Sequence, residues 1–487
     1  MRSIILIQPQ EGVYNKVLKP WAPLSLLAAA VKLDAEGYPV KIIDQRVNRD
    51  WRNELVDWLQ RDPVCVGITS MTGSQILGAL EASRLVKQRS RAPVVWGGAH
   101  ATLYPRLTLA NDLVDAVVKG EGEETFYKLV KRLENREPLV GLAGSCYKEN
   151  GDIVENDDRP FIDLSALPQT PYHLVDVKKY LHRFFSEEMV VEIESSRGCP
   201  FACGFCYNPL YSKRRWRALS PEKVIERIRI LMDQYGVHSF HFIDDAFFID
   251  RDRVEQIMRG IIDQNLKVKL GFQGVRIDTF EQLSDADIAL LSRAGTRFLQ
   301  FGVESGSPRI LEIINKKIRL EQVTSLNRRL ASFPDLIPYY NFMCGFPTET
   351  VEDLFMTTAL VWTLLEENKN TMVSPFHHYK PYPGTALSAM AHDQNYVIPR
   401  TLEEWGHFDW TESIERRQDK GILGLMKNIE MVSIFADRKM ENQSDSGLLM
   451  LAAKLYRPIA RFRLRHNFYT LMPEGALMRY SGGSSKC

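Results

Sequence analysis

The sequence contains no run of about 18 apolar residues, the length that a helix needs to cross a bilayer, so no membrane span is predicted. It also lacks an excess of either charge, because 62 Lys and Arg stand against 61 Asp and Glu, for a net charge of +1. This balance gives no reason to expect nucleic acid or an anionic membrane as the main partner. The apolar N-terminal stretch ends at Pro9, too early for a signal peptide, and we therefore expect a cytoplasmic protein.

The seven cysteines are too unevenly placed for a disulfide framework. Cys199, Cys203 and Cys206 lie within eight residues of sequence. The other four are scattered along the chain: Cys65, Cys146, Cys344 and Cys487. In a long chain of this kind three clustered cysteines indicate metal ligands, and the scattered four are interpreted as packing residues.

With 487 residues the chain is too long for one ordinary core, and two or three domains are expected. In residues 1–140 five apolar segments alternate with amphipathic ones. Because parallel strands need crossover connections, this alternation predicts an α/β domain with a five-stranded, doubly wound parallel sheet of the flavodoxin-like type. The strands are predicted at 3–8, 41–44, 64–69, 94–98 and 116–120.

Small and polar residues follow three of these strands, at the edge of the sheet where ligands bind in such folds. The loops contain Thr69, Ser70, Met71 and Thr72; Gly97, Gly98 and His100; and Gly120 and Glu121. Such residues suit a ligand that approaches the backbone closely. Ordinary tight turns between a strand and a helix are the alternative interpretation.

The rest of the chain divides into three predicted segments. Residues 141–188 carry Gly, Pro and Asp clusters and are interpreted as a linker or bridging segment. Residues 189–395 alternate again and predict a partial (β/α)6 barrel, whose catalytic residues lie at the carboxyl ends of the strands. Its strands are predicted at 190–195, 239–244, 269–275, 297–304, 339–345 and 371–379.

Residues 396–487 are predicted to form a small, mainly helical domain that contacts the substrate or caps the barrel. Aromatic side chains offer apolar area with a polar edge, which suits the binding of an organic ligand. Substrate contacts are therefore predicted at Trp405, Phe408 and Trp410, together with His377 and His378. Packing within the fold is the alternative role for these aromatic residues.

The clustered cysteines begin where the first barrel strand ends, with the spacing Cys-x3-Cys-x2-Cys. Three thiolates on a four-iron cubane leave one iron open to a small molecule, so the motif predicts a [4Fe–4S] cluster. Structural zinc is the alternative, although it requires four protein ligands and no further His or Cys occurs in residues 183–237.

With Phe205 between its last two cysteines, the motif resembles the Cys-x3-Cys-x-aromatic-Cys signature of the radical S-adenosylmethionine (SAM) superfamily. The resemblance implies that the open iron binds SAM. It also implies that one electron, from a donor such as flavodoxin or ferredoxin, releases a 5′-deoxyadenosyl radical. Further contacts with SAM are implied at Asp244, Asp245, Arg276, Glu304, Ser305, Gly345, Phe346 and Pro347. Asp245, Glu304 and Arg276 are the residues expected to be catalytic, and roles in caps or turns are the alternative.

A doubly wound sheet ahead of such a barrel is similar to the cobalamin-dependent members of that superfamily, as are Trp21, Gly37 and Asp44. This resemblance implies that the nucleotide tail of cobalamin enters the loops after the third and fourth strands. The Asp-x-His-x-x-Gly signature of other cobalamin domains is missing. No histidine is therefore expected below the cobalt, and Met71 or a neighbour is expected close to it. A sheet that does not bind cobalamin is the alternative.

The resemblance implies an enzyme that methylates an unactivated carbon of a small molecule, such as a natural product, a lipid or a tetrapyrrole. A cobalamin-assisted cyclase or oxidative rearrangement enzyme is the alternative within the family. A non-catalytic cobalamin or redox sensor is the alternative of a different class. No nucleic-acid partner is expected.

Overall fold

The computed structural model describes residues 1–11, 20–184, 187–382, 384–393, 398–408, 420–443, 447–470 and 472. The chain folds into two compact units. Unit 1 comprises Met1–Leu181, Arg217–Leu219 and Ile398–Glu412, and unit 2 comprises His182–Trp216, Ser220–Val397 and Ser413–Cys487. None of the helices in the described ranges is both long and apolar enough to cross a membrane.

Unit 1 contains a seven-stranded sheet with the order β2-β1-β3-β4-β5-β6-β7. The strands are β1 (Ile4–Gln8), β2 (Val40–Asp44), β3 (Cys65–Thr69), β4 (Val94–Gly97), β5 (Ala116–Val118), β6 (Ser145–Glu149) and β7 (Asp152–Glu155). The helices are α1 (Leu24–Ala35), α2 (Trp51–Leu59), α3 (Gln75–Arg89), α4 (Ala99–Leu103), α5 (Pro105–Ala110) and α6 (Gly122–Asn135). β1 to β5 pair in parallel, which confirms the doubly wound sheet predicted from the sequence.

The antiparallel hairpin of β6 and β7 enlarges this sheet beyond the five predicted strands. It lies in the segment 141–188, whose Gly, Pro and Asp content suggested a linker. The turn consists of Asn150 and Gly151, with φ of 52° and 91°, the two positive values that a type I′ hairpin turn requires. An Asn-Gly pair between short strands is a strong hairpin signal, so the sequence did contain the information for this element.

Unit 2 contains a curved sheet with the order β14-β13-β12-β11-β10-β9-β8, and β15 pairs with β13. The strands are β8 (His182–Phe184), β9 (Glu187–Ile193), β10 (Ser239–Phe242), β11 (Lys269–Val275), β12 (Thr296–Glu304), β13 (Ile337–Cys344), β14 (Met372–Val373) and β15 (His377–His378). The pairs from β9 to β14 are parallel, which confirms the partial barrel, and β8 adds an antiparallel edge. Two-residue strands also occur at Ser196–Arg197 in unit 2 and at Arg217–Ala218 in unit 1.

The strands of unit 2 are connected by helices that begin at recognisable caps. The first long helix follows Ser220, whose hydroxyl accepts from the Lys223 N–H, with Pro221 at the first helical position. The helices are α7 (Asn208–Tyr211), α8 (Pro221–Tyr235), α9 (Arg251–Asp263), α10 (Ile277–Phe280), α11 (Asp285–Arg293), α12 (Pro308–Ile313), α13 (Leu320–Leu330), α14 (Val351–Glu367) and α15 (Ala386–Asp393).

The C-terminal region is mainly helical, as predicted. It contains α16 (Leu402–Gly406), α17 (Lys420–Phe435), α18 (Lys439–Gln443) and α19 (Gly447–His466). α19 continues through the basic segment 457–465 and includes Pro458. Short 3₁₀ turns occur elsewhere in the chain, at Leu164–Ala166, Tyr172–Leu174, Val177–Tyr180 and Phe247–Ile249.

α16 completes the core of unit 1, which was not expected for a segment assigned to substrate contacts. Leu402, Trp405 and Phe408 belong to the buried cluster that also contains Trp96 of β4. Trp405 is fully buried, and Gly406 allows close approach, since a Cβ there would lie 2.5 Å from a Leu77 methyl carbon. The predicted substrate contact of Trp405 and Phe408 is therefore wrong, and packing is their role. Trp410 lies outside the described residues.

Candidate functional site

The loop that carries the three cysteines follows β9 and depends on a glycine. Gly198 has φ of +83°, and a Cβ there would lie 2.1 Å from the Arg215 carbonyl oxygen. No larger residue fits, so the backbone can turn tightly just before Cys199. The Gly198 N–H donates to the carboxylate of Asp245 at 3.0 Å. Asp245 is itself exposed, and its first role in the structure is to hold the start of this loop.

The cysteine sulfurs receive hydrogen bonds from nearby donors. Arg276 Nη1 lies 3.4 Å from Cys203 Sγ, and the Asn208 N–H donates to Cys206 Sγ at 3.4 Å. Burial raises the pKa of Cys199, and it raises the pKa of Cys206 to about 12. Since metals bind the thiolate, cluster assembly here must displace protons, and the donors stabilise the negative sulfurs that result.

Three thiolates with hydrogen-bond donors on two of them fit a [4Fe–4S] cluster with one iron left open. A site for a single metal ion matches these three cysteines less well. The described part of the chain contains no group of three or more His, Cys, Asp or Glu side chains that could hold a single metal ion. Ligands of a multi-iron cluster need not converge on one ion, so the donor set favours the cluster over structural zinc.

Asp244 occupies the carboxyl end of β10 but is fully engaged within the protein. Its carboxylate accepts the Ser195 N–H at 2.8 Å, the Ser195 hydroxyl at 2.7 Å and the Ser196 hydroxyl at 2.5 Å. The residue is 1% exposed, and burial raises its pKa to about 6 despite these donors. Asp244 therefore connects the end of β9 to β10, and its predicted contact with SAM remains a prediction.

Arg276 also contacts the cysteine loop and is held in place by several partners. It forms a two-pronged ion pair with Asp278, at 2.9 Å for each bond, and donates to the Lys316 carbonyl oxygen at 2.9 Å. Its guanidinium lies 3.7 Å from the centre of the Phe201 ring. These four partners, including Cys203, hold the Arg276 guanidinium in place, so its positive charge lies beside the Cys203 sulfur.

Glu304 ends β12 in a strained conformation, with φ of +75°. Its carboxylate pairs with the Lys316 ammonium at 2.7 Å, and both side chains are at least nine-tenths buried. A Cβ at Gly302 would lie 2.5 Å from that carboxylate, so the glycine makes room for the pair. The Lys316 ammonium lies 5.9 Å from the centre of the Phe205 ring in the cysteine motif. The sequence analysis did not identify Lys316, which has no motif around it.

Ser305, the next residue in the chain, is buried, and its hydroxyl forms hydrogen bonds within the protein. Its hydroxyl lies 3.1 Å from that of Thr357 and accepts the Ser307 N–H at 3.1 Å. These bonds fasten the end of β12 to α14. A contact between Ser305 and SAM remains a prediction.

The segment after β13 carries the remaining predicted SAM contacts. Gly345 has φ of +82°, and its N–H donates to Glu349 at 2.5 Å. Phe346 is fully buried between Phe205 and Tyr379, with ring centres 6.1 and 5.5 Å away. Pro347 is also buried. The predicted elements at Phe205 and Phe346 therefore meet in the structure.

A chain of polar side chains behind this segment was missed from the sequence. Cys344 Sγ lies 3.4 Å from His378 Nδ1, and His378 Nε2 lies 3.0 Å from the Glu430 carboxylate. Cys344 is thus more than a packing residue, because it links β13 and β15 to α17. His378 is buried in this chain, whereas His377 is half-buried and its pKa is lowered by burial.

In unit 1 the loops after β3 and β4 pack backbone against backbone. A Cβ at Gly98, which has φ of +89°, would lie 2.7 Å from the Ser70 carbonyl oxygen and 2.8 Å from the Thr69 hydroxyl. The Ser70 N–H donates to the Gly97 carbonyl at 3.0 Å. The Ser70 hydroxyl is buried and has no hydrogen-bond partner among the described residues. An unsatisfied hydroxyl at this sheet edge fits a polar ligand such as the nucleotide tail of cobalamin.

His100 lies in α4, directly after the second of these loops, and is fully buried. Its Nδ1 lies 3.0 Å from the Thr72 hydroxyl, while Nε2 has no partner within the part of the chain that the structure describes. The ring packs against Tyr104 and Trp405. Burial lowers the pKa of His100 to about 4, so the imidazole is neutral at pH 7. Met71, by contrast, is 54% exposed.

Acidification should destabilise the protein through His100. Its folded-state pKa of about 4 lies below the ordinary 6.5, so between these values only the unfolded chain binds the proton. Stability is therefore fully present above pH 6.5 and falls as the pH drops towards 4, by about 2 kcal/mol at pH 5. Urea denaturation at several pH values measures the loss, and His100→Gln should reduce it by that amount. The contribution of His241, whose pKa burial lowers to about 3, should remain in the variant. His173→Gln, at a half-exposed histidine of the same unit, should retain it, and equal losses in all three proteins would contradict the assignment.

The third predicted loop contains a glutamate that is engaged in an internal ion pair. Glu121 is bound at both carboxylate oxygens by Arg217, at 2.8 and 2.9 Å, and accepts the Ile162 N–H at 3.1 Å. Glu121 therefore forms an internal ion pair, and its contact with a cofactor remains a prediction. Gly120 has φ of +69°, and a Cβ there would meet nothing within 4 Å, so the loop surface beside it is open.

Family models match two segments of the chain. Residues 193–361 match the Radical SAM superfamily, and residues 11–130 match the B12 binding domain. The uncharacterized methyltransferase PH0819 of Pyrococcus horikoshii is 32% identical over 84% of this chain and 87% of its own. The anaerobic magnesium-protoporphyrin IX monomethyl ester cyclase of Synechocystis is 27% identical over 85% of each chain.

Two solved structures share the fold. The radical SAM methyltransferase TsrM of Kitasatospora setae, with tryptophan and a SAM analogue bound, has a TM-score of 0.69 at 17% identity and covers both chains fully. The cobalamin-dependent SAM radical enzyme OxsB has a TM-score of 0.69 at 18% identity, over 97% of this chain and 73% of its own.

Proposed function

Since the chain belongs to the radical SAM enzymes that carry a B12-binding domain, we propose that it transfers a methyl group to an unactivated carbon of a small molecule. Its cofactors are a [4Fe–4S] cluster, SAM and cobalamin. The observation that carries the proposal is the 32% identity, over most of both chains, with a relative named as a methyltransferase. We propose flavodoxin or ferredoxin as the electron donor.

When bound, the cluster and SAM supply radical chemistry, and cobalamin supplies a methyl carrier. Cys199, Cys203 and Cys206 would hold the cluster. Arg276 directs a positive charge at Cys203, and the Asn208 N–H donates a neutral hydrogen bond to Cys206. Hydrogen bonds to the sulfurs tune the potential of a cluster. The chain thereby sets how readily an electron is accepted.

We propose that the Glu304–Lys316 pair binds the polar part of SAM. Both groups are buried, and the Lys316 ammonium lies 5.9 Å from the ring centre of Phe205, one residue before the last cluster cysteine. The Lys316 ammonium fixes the orientation of the Glu304 carboxylate, and the strained backbone at Glu304 is what places it there. A held carboxylate can accept hydrogen bonds from hydroxyl or ammonium groups without reorganising.

The other predicted contacts belong to the same proposal. Asp245, Gly345, Phe346 and Pro347 would contact SAM. In unit 1, the residues of the first two loops would receive the nucleotide tail of cobalamin, with the unsatisfied Ser70 hydroxyl as the first candidate.

We also expect no histidine ligand on the cobalt. His100 is the only histidine in residues 1–170, and its Nδ1 is held by Thr72 in a buried position. The electron paramagnetic resonance spectrum of the cob(II)alamin form should therefore lack the nitrogen splitting of an axial imidazole. Such splitting in the parent protein, lost in His100→Ala, would contradict this expectation.

Anaerobic reconstitution with methyl-labelled SAM tests the proposed reaction. Label should pass to a new carbon–methyl bond in a metabolite pool, with deoxyadenosine released, and mass spectrometry detects both. The cyclase relative favours a second candidate function, a cobalamin-assisted cyclisation. Deoxyadenosine with an unlabelled, oxidised product would support that second function, and no deoxyadenosine under reducing conditions would contradict both.

A further inference from the structure

α19 has apolar side chains on two opposite faces. One face carries Ala453, Ala460 and Leu464, which are at most 3% exposed, and the helix packs there against α17 and α14. The other face carries a stripe at spacings of three and four residues, with each side chain at least 50% exposed. The stripe consists of Leu448, Leu451, Leu455, Ile459 and Phe462. Five large apolar side chains exposed in one line on a soluble unit mark an interaction surface.

The charge of α19 is of one sign. Its 20 residues include Lys454, Arg457, Arg461, Arg463 and Arg465 and no acidic residue. Three of these cations bind other groups of the protein. Arg457 pairs with Glu441, Arg461 pairs with Glu366, and Arg463 donates to the Phe468 carbonyl.

The other two cations border the apolar stripe. Lys454 follows Leu451 by three residues, and Arg465 follows Phe462 by three, so both lie along the same edge of the stripe. Neither takes part in an ion pair with any residue that the structure describes. The Arg465 guanidinium lies 5.7 Å from the centre of the Trp362 ring, a contact that leaves its charge unpaired. The exposed face therefore combines apolar side chains with uncompensated positive charge, although the whole chain is nearly neutral.

We propose that this face of α19 docks on an anionic lipid bilayer. An amphipathic helix of this composition lies in the plane of the interface, with Leu, Ile and Phe among the acyl chains and Lys and Arg at the headgroups. A second copy of the chain is a poorer partner, because pairing two such faces would bring like charges together.

Vesicle binding of the reconstituted, full-length enzyme tests the proposal. It should sediment with vesicles of equal parts phosphatidylcholine and phosphatidylglycerol, less with phosphatidylcholine alone, and less at high salt. Lys454→Gln with Arg465→Gln should weaken binding to the anionic vesicles about fivefold per charge. Leu455→Glu with Ile459→Glu should abolish it. Because these side chains are exposed, the melting temperature should not change.

The matched control is Val140→Glu, at an exposed valine of unit 1, which should bind vesicles like the parent enzyme. Failure of the parent enzyme to sediment with the anionic vesicles overturns the proposal. So does equal loss of binding in the control. If light scattering shows a dimer that Leu455→Glu dissociates, with no vesicle binding, the face is an interface between copies instead.

Discussion

Cys203→Ala should contain no [4Fe–4S] cluster and release no deoxyadenosine from SAM. A cubane held by three thiolates cannot keep its open iron on two, and Cys203 is the sulfur that Arg276 contacts at 3.4 Å. The loss should be complete and not graded, since without the cluster there is no route for the electron to SAM. Iron and sulfide quantitation, with chromatography of deoxyadenosine, measures both effects. Cys199→Ala and Cys206→Ala should behave in the same way.

Two other cysteines provide the controls. Cys65 lies buried in β3 of unit 1, and Cys344 is buried in contact with His378, so neither belongs to the cysteine motif. Cys65→Ala and Cys344→Ala should keep their full iron content, although the second variant disturbs the link from β13 to Glu430. A full complement of iron in Cys203→Ala would remove the basis of the cluster assignment.

Trp405→Ala should destabilise the protein by about 3–5 kcal/mol, the usual cost of removing a fully buried tryptophan. Trp405 is 0% exposed, and its ring packs against His100, Tyr104 and Phe408. Neighbouring backbone cannot relax into the cavity easily, because Gly406 already holds α16 close to Leu77. Urea denaturation measures the loss.

Trp58→Ala is the matched control for that variant. Trp58 is a partly buried tryptophan on the edge of the same core, stacked on Arg61, and its removal should cost clearly less. Turnover per folded molecule should be unchanged in Trp405→Ala at a temperature where it remains folded. A large change in substrate specificity without a change in stability would restore the role that its aromatic character suggested.

Much of the fold follows from short-range patterns in the sequence. Most of the parallel strands are buried apolar runs separated by helices with a polar face, so the alternation itself specifies the two sheets. The hairpin of β6 and β7 was obscured because Gly and Pro are common to turns and linkers alike. Only the pair Asn150-Gly151 distinguishes the two, through the positive φ that both residues adopt.

The candidate site is a harder case, since partners distant in sequence decide what a side chain does. The cysteine spacing is a local signal and it identifies the cluster loop. Glu121 and Asp244 are predicted ligand contacts, and nothing near them in the sequence indicates that Arg217 and the two serines after β9 bind their carboxylates. Lys316 shows the reverse, because nothing around it in the sequence reveals that it meets Glu304 in the barrel.

The composition of unit 1 has a consequence for how the protein is made. Its core is completed by α16, which is encoded after almost the entire barrel. During synthesis on the ribosome, the core of unit 1 therefore stays incomplete, with an apolar gap beside α3, until residue 408 has been synthesised and has left the exit tunnel. A gene shortened just before Leu402 would leave that gap permanently open, and its product should aggregate even though both family-defining segments are intact.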